Sequence, residues 1–218
     1  MHRRDMLRRT AAAALAVPLI NRGRFRLFAH SADDYSARTI ALMQRSLVID
    51  MLAPFTLDFP LQARWAKAPE TFTATEFQKF KSSGITVFHP AVGIGGVTAY
   101  DQGLQFFGGW NSFIAGSDQY LLRIDSPADF ERIKASGKIG VILGVQNAEH
   151  FRRPDDVDAF HGLGQRVAQL TYNRRNLIGN GSTERRDEGL SDFGVSIVQR
   201  MNTVGMAVDV SHCGDRTT

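Results

Sequence analysis

The chain has 218 residues, 43% of them hydrophobic and 22% charged, ordinary proportions for a globular protein. These values exclude collagen, low-complexity disorder and a disulfide scaffold, because Cys213 is the only cysteine and has no intrachain partner. The net charge of +4 is concentrated: residues 1–30 hold seven arginines against Asp5, and the remaining residues carry −2. A nucleic-acid binder needs a basic stripe in its folded part; none is evident, so no nucleic-acid partner is expected.

Arg3-Arg4 lies ahead of a moderately apolar stretch, Ala11 to Ile20, the pattern of a twin-arginine export signal. The alternative is a basic amphipathic or disordered tail. Ten residues at about 1.5 Å each cover roughly half of a ~30 Å hydrocarbon core, so no transmembrane span is expected. Ala29-His30-Ser31 offers a small-x-small cleavage site. Residues 1–31 are therefore expected to be the signal peptide. Residues 32–218 are expected to be one domain in a periplasmic or other extracytoplasmic location.

Short apolar runs then alternate with helical segments. Residues 46–50 read as a strand ending in Asp50. Residues 75–83 read as a helix, with Phe77 and Phe80 on one face and Gly84 as its stop. Residues 85–88 form a second strand running into His89-Pro90, and residues 103–120 read as a loop and helix. Ser126-Pro127-Ala128-Asp129 opens a helix, with a capping hydroxyl, a proline suited to the first turn and an acid for the dipole. That helix ends near Gly137. Residues 139–145 are a third strand, apolar on both faces. Residues 155–162 are helical and residues 167–172 form a fourth strand. Residues 192–203 form a helix ended by Gly205, and residues 206–210 form a fifth strand leading to Ser211-His212.

Strands alternating with helices predict right-handed crossovers and a parallel sheet. The fold class expected is α/β, a partial (α/β)8 TIM-type barrel of roughly five β/α units. Asp50, His89, residues 146–150, Tyr172-Asn173 and His212 follow strands, and barrels build their sites at that edge. The sequence ends six residues after His212, so it is expected to be the first part of a larger fold. An open five-stranded sheet exposes an unpaired edge, which points to assembly into a homo-oligomer.

Residues 144–151 (GVQNAEHF), 169–194 (QLTYNRRNLIGNGSTERRDEGLSDFG) and 201–218 (MNTVGMAVDVSHCGDRTT) carry a resemblance to a known family. The turn Gly189-Leu190-Ser191-Asp192-Phe193-Gly194 and the closing D-x-S-H are its most specific pieces. The chain resembles the membrane (renal) dipeptidases, zinc metallopeptidases with an (α/β)8 barrel. The resemblance implies hydrolysis of a dipeptide between two zinc ions about 3.5–4 Å apart. The family's ligands are an H-x-D motif after strand one, a bridging Glu after strand three and histidines after strands five and six. A further His after strand four contacts the reacting carbonyl.

Carried over residue by residue, the H-x-D positions fall on Leu52 and Pro54, whose side chains cannot ligate a metal. The bridging Glu falls on Gln146, the carbonyl-contacting His on Tyr172, and the first of the paired histidines on His212. His212 is thus the candidate metal ligand, with Glu149 as a second if its loop turns inward. Tyr172, whose phenol can donate to an oxyanion, and Asp50 are the candidate catalytic residues. Gln146 and Asn173 are the candidate substrate-binding residues. His89 either lines the mouth or packs. Arg174, Arg175, Arg185 and Arg186 interleave with acids as a salt-bridged loop face. The expected function is that of an exported dipeptidase-family hydrolase acting on dipeptides or related small amides by metal-assisted hydrolysis. The alternative is a catalytically altered, metal-free barrel that binds a small ligand.

Overall fold

The computed structural model describes residues 35–218; the expected signal peptide, residues 1–31, lies outside the described residues. The chain divides into two units. The described part of the first consists of residues 35–46 and 82–84. It contains α1 (Ala37–Arg45), which starts where the Ser36 hydroxyl accepts the Thr39 amide and has Arg45 in its last turn.

The second unit, residues 47–81 and 85–218, holds two parallel sheets. One orders β1 (Ile49–Asp50), β2 (Val87–Phe88), β5 (Ile139–Val141) and β4 (Leu121–Arg123). The other orders β3 (Ala91–Gly93), β6 (Leu143–Gln146), β7 (Gln165–Gln169) and β8 (Ala207–Asp209). Two chain runs, 87–93 and 139–146, contribute to both sheets and join them. The first run is broken at Pro90, which has no amide to donate to a ladder; the Ala91 amide turns back to the His89 carbonyl at 2.9 Å. The second is interrupted at Ile142, and its pairing with β7 shifts register between Leu143 and Gly144.

The parallel α/β architecture read from the sequence is therefore present, with corrections of detail: Ala37–Arg45 and Phe59–Lys67 add helices, Ala91–Gly93 adds a strand, and the strand read over 167–172 is Gln165–Gln169. Leu121–Arg123, passed over as a strand, forms β4 beside β5 through the pairs Leu121 with Ile139 and Arg123 with Val141. Residues 103–120, read as loop and helix, lie mostly in one 18-residue helix, α4 (Ala99–Gly116). Its glycines argue against a helix by propensity. Burial of Phe107, Trp110, Phe113 and Ile114 overrides them. At Gly103 a Cβ would come within 3.0 Å of the Phe160 ring, so that glycine permits close approach to α6 (Asp155–Gly162).

Side chains alternate across the strands, which sorts the core into two clusters. Phe88, Val141, Leu143, Val145 and Ala168 pack with the helices α2 (Phe59–Lys67), α3 (Ala74–Lys81), α4 and α7 (Asp192–Val204). This cluster is aromatic-rich: Phe55 stacks on Phe80 at 4.0 Å and meets Trp110 edge-on at 5.4 Å. Val87, Ile142 and Val167 belong to the smaller second cluster, with Ile124 and with Ile133 of α5 (Ala128–Ser136). Ser191 caps α7 by accepting the Gly194 amide at 3.0 Å, and its hydroxyl lies 3.2 Å from the Ile178 carbonyl. Ser191→Ala is expected to cost about 1 kcal/mol in a urea unfolding titration.

His150 is fully buried, one ring nitrogen 2.9 Å from the Gln165 side-chain oxygen and the other without a partner among the described residues. Burial disfavours its charged form and lowers its pKa to about 4. An unfolded histidine titrates near 6.5, so between these values the unfolded state binds more protons than the folded one. The stabilisation is complete above pH 6.5 and is lost as pH falls towards 4, with a limiting size of roughly 3 kcal/mol. Urea midpoints are expected to fall over that range, and His150→Gln to flatten the fall. Asp129 and Asp156, both held below the ordinary carboxylate range, act mainly below that window. Burial opposes their ionisation, but accepted backbone and arginine hydrogen bonds outweigh it.

Candidate functional site

Four polar residues stand at the C-terminal ends of their strands: Asp50 on β1, Gln146 on β6, Gln169 on β7 and Asp209 on β8. The loops that follow carry the three described non-glycine residues of positive φ, Asn147 (79°), Asn173 (61°) and His212 (61°). Such backbone is sparsely populated and persists only when its surroundings hold it. Here hydrogen bonds from side chains and backbone do so. Asn147 donates to the Ile94 carbonyl, and Asn176 donates to Asn147 Oδ1 and to the Leu170 carbonyl, each at 2.8 Å. The His212 carbonyl accepts from the Ser182 amide at 2.7 Å.

Asn173 Oδ1 lies 2.7 Å from His212 Nδ1. An amide oxygen only accepts, so Nδ1 carries the proton and Nε2 is left as the free basic nitrogen. The Tyr172 ring lies 4.6 Å from the imidazole, tilted by 31°, and Tyr172 is 44% exposed. A cavity of about 420 Å³ opens here, lined by Leu52, Gln146, Gln169, Asp209 and His212 among others. The structure thus sets Tyr172 and Asn173 against His212, and His212 shares the cavity with Gln146; Tyr172 and Asn173 are not among the cavity's lining residues. Asp50 ends β1, where its carboxylate accepts the Leu52 amide at 2.9 Å.

Glu149 lies elsewhere. Its carboxylate accepts the Gly96 amide at 2.6 Å, and it lines a separate cavity of about 360 Å³ with Arg175 and Asn176. A larger cavity of about 520 Å³ between α2 and α4 is walled by Phe59, Phe106, Trp110 and similar groups; Pro54 belongs there.

His89 deserves a place beside these residues. It is 1% exposed, its Nδ1 lies 2.6 Å from the Met51 carbonyl, and its Nε2 has no partner among the described residues. Burial holds its pKa below the usual histidine value, against the nearby charges of Asp209 and Asp50. A methyl group on Gly144 would overlap Nε2 and crowd Val167, so glycine makes room for the ring. Gln169, also 1% exposed, has an Oε1 without a partner among the described residues. A fourth strand read on to Tyr172 misses Gln169 as a strand end; for His89 the sequence leaves open lining the mouth or packing, and the ring is buried.

Parallel strands followed by helices define an α/β protein of the parallel, barrel-related class, and the polar groups and braced histidine at the strand C-termini make that face the candidate site. The sequence pattern of the membrane dipeptidases, peptidase family M19, matches residues 36–218, and the chain belongs to that family. It is 33% identical over 91 residues to dipeptidase tcpJ of Claviceps purpurea (strain 20.1), covering 40% of this chain and 21% of that protein. An amidohydrolase from Pseudomonas aeruginosa superposes with TM-score 0.64 at 31% identity, over 82% of this chain and 50% of that one. A metallopeptidase from Rhodobacter sphaeroides, liganded with a phosphinate mimic of L-Ala-D-Ala, superposes with TM-score 0.58 at 17% identity. That match covers 78% of this chain and 60% of the other, and it supports the fold alone. The chain spans about half the length of these solved relatives.

Family membership implies a metal, and the donor set can be tested against one. Among the described residues no three His, Cys, Asp or Glu side chains converge as a ligand group. Leu52 and Pro54 are apolar, Gln146 is neutral and Glu149 faces another cavity. These residues do not fit a two-zinc centre, which needs imidazoles and carboxylates arranged around both ions. No described helix is long and apolar enough to cross a membrane.

Proposed function

We propose that this protein is a dipeptidase-family hydrolase acting on dipeptides or related small amides, which enter the cavity at the strand C-termini. The observation that carries the proposal is the Asn173–His212 pair. An imidazole fixed at Nδ1 keeps Nε2 available as a general base. In this scheme His212 Nε2 takes a proton from water as the oxygen attacks the amide carbonyl. The Tyr172 hydroxyl donates to the developing oxyanion. The C–N bond then breaks, and the proton passes from His212 to the leaving amine. Gln146 has donor and acceptor groups suited to the substrate's peptide unit. Export through the twin-arginine pattern belongs to the same proposal.

A second reading, a barrel that binds such ligands without cleaving them, is favoured by Leu52 and Pro54 at positions where the resemblance implies metal ligands. Incubation of the purified chain with L-alanyl-L-alanine separates the two. Release of free alanine in proportion to protein concentration is expected. Binding of the dipeptide without alanine release would overturn hydrolysis in favour of the second reading.

A further inference from the structure

We propose that His89 and Gln169 form the recognition point for a primary ammonium group, which seats the free amino terminus of the substrate deep in the cavity. This rests on the cavity being the substrate site. Two buried acceptors, His89 Nε2 and Gln169 Oε1, are unpartnered among the described residues, and an unmatched buried acceptor costs roughly 1–3 kcal/mol. His89 Nε2 is an acceptor because Nδ1 donates its proton to the Met51 carbonyl at 2.6 Å.

Both atoms are buried at the wall of this cavity, Gln169 as a lining residue and His89 packed behind the lining residue Val167. Nε2 occupies the position of a missing Gly144 methyl, beside Val167. Val167, Gln169 and Gln146 all line the cavity, and Gly144 stands two residues before Gln146 on β6. Gln169 is in register with Asp209, which also lines the cavity. Asp209 and Asp50 are both close enough to act on His89 by their charge. Two neutral acceptors within electrostatic reach of two carboxylates match a group that only donates and carries positive charge. An ammonium supplies three donors in a compact head. A carboxylate or phosphate would meet acceptors and like charge.

The test is calorimetric titration of the whole chain with glycylglycine and with N-acetylglycylglycine, which lacks the ammonium. The parent is expected to bind glycylglycine at least tenfold more tightly. Gln169→Met is expected to reduce that preference to within threefold while leaving the acetylated probe unchanged. Equal affinities in the parent, or a preference untouched by Gln169→Met, would overturn the ammonium site and leave the cavity reading standing. Failure of both probes to bind would overturn the cavity reading and the ammonium site with it. Should Gln169→Met not fold, the imidazole ¹⁵N resonances of the parent decide. His89 Nε2 is expected to shift with glycylglycine and not with the acetylated probe; no shift with either overturns the proposal.

Discussion

Gly194→Ala is expected to prevent folded protein from accumulating. Gly194 lies in the first turn of α7, where a methyl group would overlap the Ile178 carbonyl oxygen. That oxygen is backbone and cannot swing aside. It accepts the Ser191 amide at 2.9 Å, and Ile178 is itself tied by its amide to Asn176 Oδ1 at 2.8 Å. Relief would require moving the loop that braces Asn147 and the end of β7. Overpacking typically costs about 1–3 kcal/mol and more where the opposing atom is fixed backbone, a large share of a total stability near 5–15 kcal/mol. The control is Gly108→Ala, also in a helix, where a Cβ meets nothing within 4 Å. It is expected to stabilise by up to about 1 kcal/mol through helix propensity. Soluble yield and urea midpoints of both variants provide the check; a Gly194→Ala protein as stable as the parent would contradict this packing.

The second large effect is expected at His212. Its removal takes away the group proposed to accept the proton from water, and such groups contribute about 10²–10⁴-fold in rate. His212→Ala is expected to lower kcat for L-alanyl-L-alanine by that factor with a small change in KM. Asn173→Ala leaves the imidazole but frees its tautomer and orientation, so a smaller loss is expected. The two effects should not add, because Asn173 is proposed to act through His212. Activity unchanged in His212→Ala would remove the histidine from the mechanism.

Much of the fold was legible because strand and helix periods are written in contiguous residues. The helix over residues 155–162 and the stops at Gly137 and Gly205 follow from local chemistry, and both glycines sit at positive φ. The three-residue strand β4 was hidden because its stability comes from pairing with β5, a partner later in the chain. The length of α4 was hidden for a related reason: glycine marks a break locally, but a close helix approach tertiarily.

The site divides in the same way. Gln146, Tyr172, Asn173 and His212 were legible as candidates because they end or follow strands within recognisable segments. The hydrogen bond from His212 to Asn173 spans 39 positions, and no local pattern announces it. Glu149 was placed near the others by sequence distance from Gln146. The structure turns it to the Gly96 amide instead. His89 was legible as a residue following a strand, but only the glycine opposite it explains how a buried imidazole fits.

The measurement that bears most directly on the central claim is zinc content. The claim is that the cavity face of this chain works through a braced histidine, without a two-zinc donor set. Elemental mass spectrometry of the purified chain, beside His212→Ala, gives equivalents of zinc per protein. Well under one equivalent, unchanged by the substitution, is the expected result. Two equivalents in the parent, lost in His212→Ala, would contradict it and show that other side chains have taken the places of Leu52, Pro54 and Gln146.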